Sequence, residues 1–220
     1  LGAKVVFCDI ELDTFNLEVK QLAEKISTRT RAILPVHLFG MPADMEAVGR
    51  LASQHGLRVV EDAACGFGTL YRGRHVGGIG DVGCFSFHPR KAITTGEGGM
   101  ITTFDDELAA KLRRLRDHGA TMSDLQRHLG PRPYLLADHT EAGYNQRMTD
   151  IQAALGSAQM NRAAEIVAER RRLAAIYDAA FENLPWLQTP SHPANGEHSY
   201  QSYACLYQPE VIVPDAIARI

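Results

Sequence analysis

Cys84-Phe-Ser-Phe-His-Pro-Arg-Lys-Ala-Ile-Thr-Thr-Gly-Glu-Gly-Gly99 is the stretch around which the chain is organised. Phe85 and Phe87 alternate with Ser86 and His88 at the two-residue period of a strand, and Pro89 ends the run because it has no N–H to give to a ladder. Lys91 therefore falls just past a strand end. The glycine-rich residues after it permit tight turns with positive φ, so the chain can fold back and restart as the apolar run Met100 to Phe104. A lysine held on such a turn and desolvated loses pKa from its ordinary value of about 10.4, and its amine can then attack a carbonyl to form a Schiff base. In isolation the same residue also reads as an ordinary solvated loop lysine.

Outward from this stretch, strand and helix patterns alternate. Lys4 to Ile10, Arg31 to Phe39, Arg58 to Asp62, Asp81 to Phe87 and Met100 to Phe104 read as strands. Asn16 is placed to cap a helical pattern from Leu17 to Ile26, and Asp44 to cap another from Met45 to Gln54 that stops at Gly56. Asp105-Asp-Glu opens a helix whose end carries Arg113, Arg114 and Arg116, both favourable to its macrodipole. Residues 120–146 show no period and read as a long loop, a class that is uncommon unless functional. The capping box Thr149-Asp-Ile-Gln152 opens a helical segment over 149–183, with Gly156 or the arginines near 170 as places to bend or divide it. Residues 190–198 read as linker, and Tyr200 to Leu206 as a strand. The pattern predicts an α/β architecture, with a large domain over 1–184 and a linker and the start of a smaller domain over 185–220.

The net charge of −3, with 23 basic residues spread among 26 acidic ones, offers no field for nucleic acid. No apolar run approaches the ~18 residues that cross a bilayer, and the first residues lack the layout of a signal peptide, so a cytoplasmic location is expected. Cys8, Cys65, Cys84 and Cys205 form no Cys-x-x-Cys pair and read as buried reduced thiols, and the nine histidines show no metal-ligand spacing, so no metal site is expected. The chain opens without methionine inside a strand-like run and stops in a helix-like one, which reads as cut at both ends.

Asp62 and Lys91 both fall at strand ends. On neighbouring parallel strands they would open on one edge of the sheet, where α/β folds bind ligands. An aspartate there could hold a ring nitrogen protonated while the lysine forms an imine to the same cofactor, the pairing that lets pyridoxal phosphate act as an electron sink. Ala64 would share the face of Asp62 if the extended conformation persists, as a small floor for a flat ring, and Ser86 offers a hydroxyl for a phosphate. Each has a plainer reading: a strand-end cap, a packing alanine, a satisfied core hydroxyl.

Glu61-Asp-Ala-Ala64, Phe85-Ser-Phe-His-Pro-Arg-Lys91, Thr94-Thr-Gly-Glu-Gly-Gly99, Arg116-Asp-His-Gly119 and Gly143-Tyr-Asn-Gln-Arg-Met-Thr-Asp-Ile-Gln-Ala-Ala-Leu155 resemble, in order and spacing, the DegT/DnrJ/StrS family of sugar aminotransferases. The resemblance implies a fold type I pyridoxal phosphate enzyme, with a mixed, mostly parallel sheet flanked by helices and a small α+β domain, that moves an amino group from glutamate to a nucleotide-linked keto sugar. It further implies Lys91 as the Schiff-base lysine and proton carrier, Asp62 as partner of the pyridine nitrogen, Ala64 under the ring and Ser86 on the phosphate. Asn145 would reach the phosphate of the neighbouring subunit in a homodimer with shared active sites.

Cys65 stands where the family often has glutamine or histidine near the cofactor's phenolic oxygen, and a thiol is a weaker donor there. The family's earlier phosphate loop and ring-covering aromatic would precede residue 1, so this segment alone is expected to bind cofactor poorly. Related dehydratases carry histidine where this chain has Lys91, which favours transamination, and the His-Pro before the lysine resembles members acting at C4 of the sugar more than at C3. Relatives acting on a keto-cyclitol or as regulators stay open, as does a non-catalytic α/β binding domain.

Overall fold

The computed structural model describes residues 2–208. Its main sheet has four strands, Ala32–Ile33 (β1), Arg58–Asp62 (β2), Val82–Ser86 (β5) and Gly99–Thr102 (β6), in the order β1-β2-β5-β6. The first three are parallel and β6 runs antiparallel to β5. Helices Val19–Lys25 (α1), Met45–His55 (α2), Asp106–Arg116 (α3), Asp124–Leu129 (α4), Asp150–Met160 (α5) and Ala163–Phe181 (α6) complete the α/β architecture. The hairpin Leu70–Tyr71 (β3) and Arg74–His75 (β4) interrupts the glycine-rich loop after β2, and Gly196–Glu197 (β8) pairs back onto β3. Leu187–Gln188 (β7) and Leu206–Tyr207 (β9) form a separate antiparallel pair.

Local chemistry explains most of the boundaries. Asp44 accepts the Ala47 N–H as N-cap of α2, and Gly56 closes it in the left-handed region at φ 63°, where a side chain would be strained. Asp105 caps α3, and Thr149 and Gln152 form the reciprocal capping box of α5. The long helical segment divides at Asn161–Arg162. Gly156 does not bend it: it sits inside α5, where a Cβ would come 2.9 Å from the Thr95 methyl, so a glycine there lets the loop beyond Lys91 approach the helix.

Five expectations are corrected. Lys4 to Ile10 forms no strand among the described residues; Val5, Val6 and Phe7 are exposed, and backbone pairing is confined to the end of the run, where Ile10 bridges Leu17 and Asp9 O accepts Glu18 N–H (3.0 Å), because a strand exists only along a partner backbone. Asn16 does not cap α1. Its amide donates to Met41 O (3.1 Å) and accepts from Leu38 N–H (3.0 Å), which braces the turn 38–41 and leaves Glu18 at the N-cap with no side-chain bond to the helix N–H groups. Tyr200 to Leu206 contributes only Leu206 to β9, and the 120–146 loop contains α4. The cysteines are half-buried rather than buried. The helix-like run at the chain's end lies outside the described residues.

The core lies on one face of the sheet, where Ile33 and Val59 pack with Leu22 of α1 and Met45, Val48 and Ala52 of α2. Glu61 points into the same face and is 0 % exposed, as is His37. His37 Nδ1 accepts from Ala43 N–H (3.1 Å), so Nε2 carries the ring proton and donates to Glu61 Oε2 (3.0 Å). Glu61 also accepts the N–H groups of Gly77 (2.7 Å), Ile79 (2.7 Å) and Gly80 (2.6 Å). Burial pushes its carboxyl up, but the His37 donor and the three backbone donors outweigh this and hold it below the usual carboxylate range.

Residues 196–202 are fastened to this frame. Ser199 N–H donates to Gly40 O (3.0 Å), Thr69 Oγ donates to Ser199 Oγ (2.8 Å), and Arg171 donates to His198 O and Gly68 O. Burial, then the charges of His192 and Arg171, pull His198 down to about 4, so its ring is neutral, accepting Tyr200 N–H at Nδ1 (2.8 Å).

Two outcomes follow for the full-length protein. Glu61→Gln replaces one acceptor oxygen with an amide NH2, a donor facing N–H donors, and should destabilise by about 3 kcal/mol in urea unfolding. His198 must gain a proton on unfolding at low pH. Its stability contribution is complete above pH 6.5 and is lost as pH falls toward about 4. Thermal unfolding should show that acid loss, of about 3 kcal/mol, reduced in His198→Asn.

Candidate active site

Burial along β2 alternates, with Val59 and Glu61 to the core, and Val60 and Asp62 half-exposed on the opposite face. The parallel register sets Asp62 beside Cys84 of β5, and Ser86, two residues on, shares that face at the strand's end. Asp62 N–H donates to Pro35 O (2.8 Å), its carbonyl accepts from His37 N–H (3.0 Å), and Ala63 N–H donates to Cys84 O (2.9 Å), so its backbone is held on both sides. Its Oδ1 accepts from Ala64 N–H at 3.0 Å. Burial and then the charge of Asp62 push the Cys84 thiol up, which marks the carboxylate's direction.

The extended conformation stops at Asp62. Gly66 N–H donates to Ala63 O (2.8 Å), closing a turn, so Ala64 is placed by a turn wrapped on the Asp62 carboxylate and not by strand alternation as expected. The same turn carries Cys65. Across the gap between the two strand ends, Lys91 Nζ donates to Cys65 Sγ at 3.1 Å. Ser86 Oγ accepts from His88 N–H at 3.4 Å, a long bond that leaves the hydroxyl free to donate.

Lys91 belongs to an anchored loop. Its own N–H donates to His88 O (2.9 Å), Thr95 N–H and Thr94 Oγ donate to Phe87 O, and Ala92, Ile93 and Thr95 are buried. From α5, Gln159 accepts Thr94 N–H (3.2 Å) and Gln152 donates to Glu97 O (3.0 Å). Gly96 and Gly98 take positive φ, as the turn reading requires. From the other side Gln201 donates to Arg90 O (3.1 Å), while Arg170 donates to the carbonyls of Tyr200 and Gln201.

The structure thus brings Asp62, Ala64, Cys65, Ser86 and Lys91 to one edge of the sheet. Asn145 is not among them: it is exposed, bridges Asp117 through its backbone, and makes no hydrogen bond to those five among the described residues. Among the described residues no three His, Cys, Asp or Glu side chains gather as metal ligands, and no helix is long and apolar enough to span a membrane. A cavity of about 1310 Å³ opens along the β6 edge among Met100, Phe104, Leu112 and Met148, touching the strand at Cys84 but including neither Asp62 nor Lys91. Its size does not make it the chemical site; it is an apolar trough beside the free side of β6, which among the described residues pairs with β5 alone.

Sequence reasoning missed Glu61, His37, Gln159 and Gln201. A charged residue at the core-facing position of a buried strand is the one available signal for Glu61; the two glutamines act through backbone contacts far apart in sequence and leave no local pattern.

The chain matches the DegT/DnrJ/EryC1/StrS aminotransferase family over residues 1–219. It is 44 % identical over 203 residues to the GDP-perosamine synthase of Caulobacter vibrioides, covering 92 % of this chain and 52 % of that protein. Helicobacter pylori PseC, an aminotransferase involved in the biosynthesis of pseudoaminic acid, superposes with a TM-score of 0.87 at 30 % identity, over 95 % of this chain and 54 % of that one. The aminotransferase from Psychrobacter cryohalolentis superposes with a TM-score of 0.86 at 33 % identity, over 96 % of this chain and 55 % of that one. The chain spans about half the length of the curated relatives it matches. With this match over nearly its whole length, the chain belongs to the DegT/DnrJ/EryC1/StrS aminotransferase family.

Proposed function

We propose that the full-length protein is a pyridoxal phosphate aminotransferase that moves an amino group, from glutamate, onto a keto sugar carried on a nucleotide. The observation that carries this reading is the convergence of the Lys91 amine, on the loop after β5, with the turn that follows Asp62 on the adjacent parallel strand. The donor set fits the cofactor. Among the described residues Lys91 has its amine bonded to the Cys65 thiol alone, Asp62 sets a carboxylate at the end of the neighbouring strand, Ser86 has a hydroxyl able to donate, and Ala64 a side chain small enough to lie under a ring. The names of relatives that make GDP-perosamine or act in pseudoaminic acid biosynthesis support a sugar acceptor.

Pyridoxal phosphate, when bound, supplies an electron sink for the carbon that gives up its proton. Asp62 would hold the proton on the ring nitrogen, its carboxylate kept in place by the Ala64 N–H. Lys91 would hold the cofactor between half-reactions and, once released, carry the proton between the substrate carbon and the cofactor's C4′ from its Nζ. Ser86 would donate to the phosphate. Asn145, exposed on the loop before α5, would reach the phosphate of a second subunit in a homodimer. Residues 1–184 would form the cofactor-binding part and 185–220 the passage into a smaller domain.

Cofactor-supplied full-length protein should absorb in the visible, and borohydride should fix the cofactor's mass to the peptide holding Lys91. Lys91→Ala should abolish that fixation and lower kcat by about 10⁴-fold. A colourless wild type that fixes no cofactor would remove the proposal. Asp62→Asn should leave the fixation intact and lower kcat by about 10²-fold to 10³-fold with a small change in KM, read in a glutamate-dependent assay against nucleotide keto sugars.

A further inference from the structure

Cys65 differs from the other described cysteines in what its sulfur meets. Cys8 donates to the carbonyl of Glu18, whereas Cys65 Sγ lies 3.1 Å from the Lys91 amine. Both side chains are half-buried, within reach of a small oxidant yet held by anchored backbone: Cys65 in the turn closed by Gly66 on Ala63, Lys91 in the turn closed on His88. No carboxylate lies within ion-pairing distance of Lys91 among the described residues, so the thiol is the amine's partner.

We propose that Cys65 and Lys91 form a peroxide-dependent, thiol-reversible sulfur–nitrogen cross-link. Hydrogen peroxide takes two electrons from the Cys65 sulfur, giving the sulfenic acid and one water. The unprotonated Lys91 amine then attacks that sulfur; the S–N bond forms, the S–O bond breaks, and the hydroxyl leaves with an amine proton as a second water. The sum is one thiol, one amine and one peroxide giving one sulfenamide and two waters. A dithiol reverses it by attacking sulfur and returning the amine. The cross-link needs only the free amine and stands apart from the catalytic reading. Its consequence, that an oxidised chain cannot take up pyridoxal phosphate and a loaded one is protected, rests on that reading.

Full-length protein stripped of cofactor is treated with hydrogen peroxide, alkylated, and digested with trypsin without reductant. Peptides 59–72 and 91–111, which hold Cys65 and Lys91, should appear joined with the loss of two hydrogens from their summed mass, and separate again after dithiothreitol. The joined species should be absent in Cys65→Ser, Cys65→Ala and Lys91→Arg, each checked for native circular dichroism. Lys91 unmodified while Cys65 is carried to sulfinic acid or pairs with Cys84 overturns the proposal, as does an unoxidised Cys65. In a parallel arm, saturating pyridoxal phosphate before peroxide should prevent the cross-link. If joining occurs equally with and without the cofactor, the cross-link stands and the assignment of Lys91 as its anchor falls.

Discussion

A buried carboxylate accepting four N–H donors is the constraint on which the rest of the structure depends. Glu61 is 0 % exposed, and an ionised group so placed is tolerable only when its oxygens are satisfied. The donors come from His37, at the start of the turn after β1, and from Gly77, Ile79 and Gly80, in the loop that crosses beneath the sheet. One side chain therefore ties together three pieces of chain distant in sequence. Loop 77–80 passes so close over β5 that a Cβ at Gly83 would strike the backbone of Gly77. Because strand side chains alternate, fixing Glu61 toward the core fixes Asp62 toward the opposite face.

The lysine loop is held from two directions. Glutamines of α5 bind its backbone on one side, and the segment 198–201, clamped by Arg170 and Arg171 of α6, binds Arg90 on the other. Both contacts go to main-chain groups, so they set the loop's position without competing for the lysine amine. The amine is left to meet the turn after β2, whose geometry is set in turn by the Asp62 carboxylate on Ala64 N–H. Positioning and chemistry are thus divided between different residues, the arrangement that a reactive group on a loop requires.

The β2 strand, the α2 and α3 caps and the α5 capping box were legible because their causes are local: a short apolar run, a capping oxygen at the right offset, a glycine at the left-handed position. Lys4 to Ile10 misled because apolar β-branched residues specify a strand only when a partner backbone exists. Asn16 misled because its amide fits the turn 38–41 better than the helix it precedes. Gly156 looked like a bend and serves instead as a notch for Thr95.

By itself the sequence determined that an aspartate closes one strand, that a lysine follows another, and that glycines let the chain fold back after the lysine; these depend on residue type over a few positions. Only the tertiary structure decided that β2 and β5 are parallel neighbours, that Ala64 reaches the site through a turn, and that the lysine amine meets Cys65. Strand pairing and side-chain contact between distant residues are set by how buried polar groups are satisfied across the whole core, Glu61 first among them, and no local pattern carries that information.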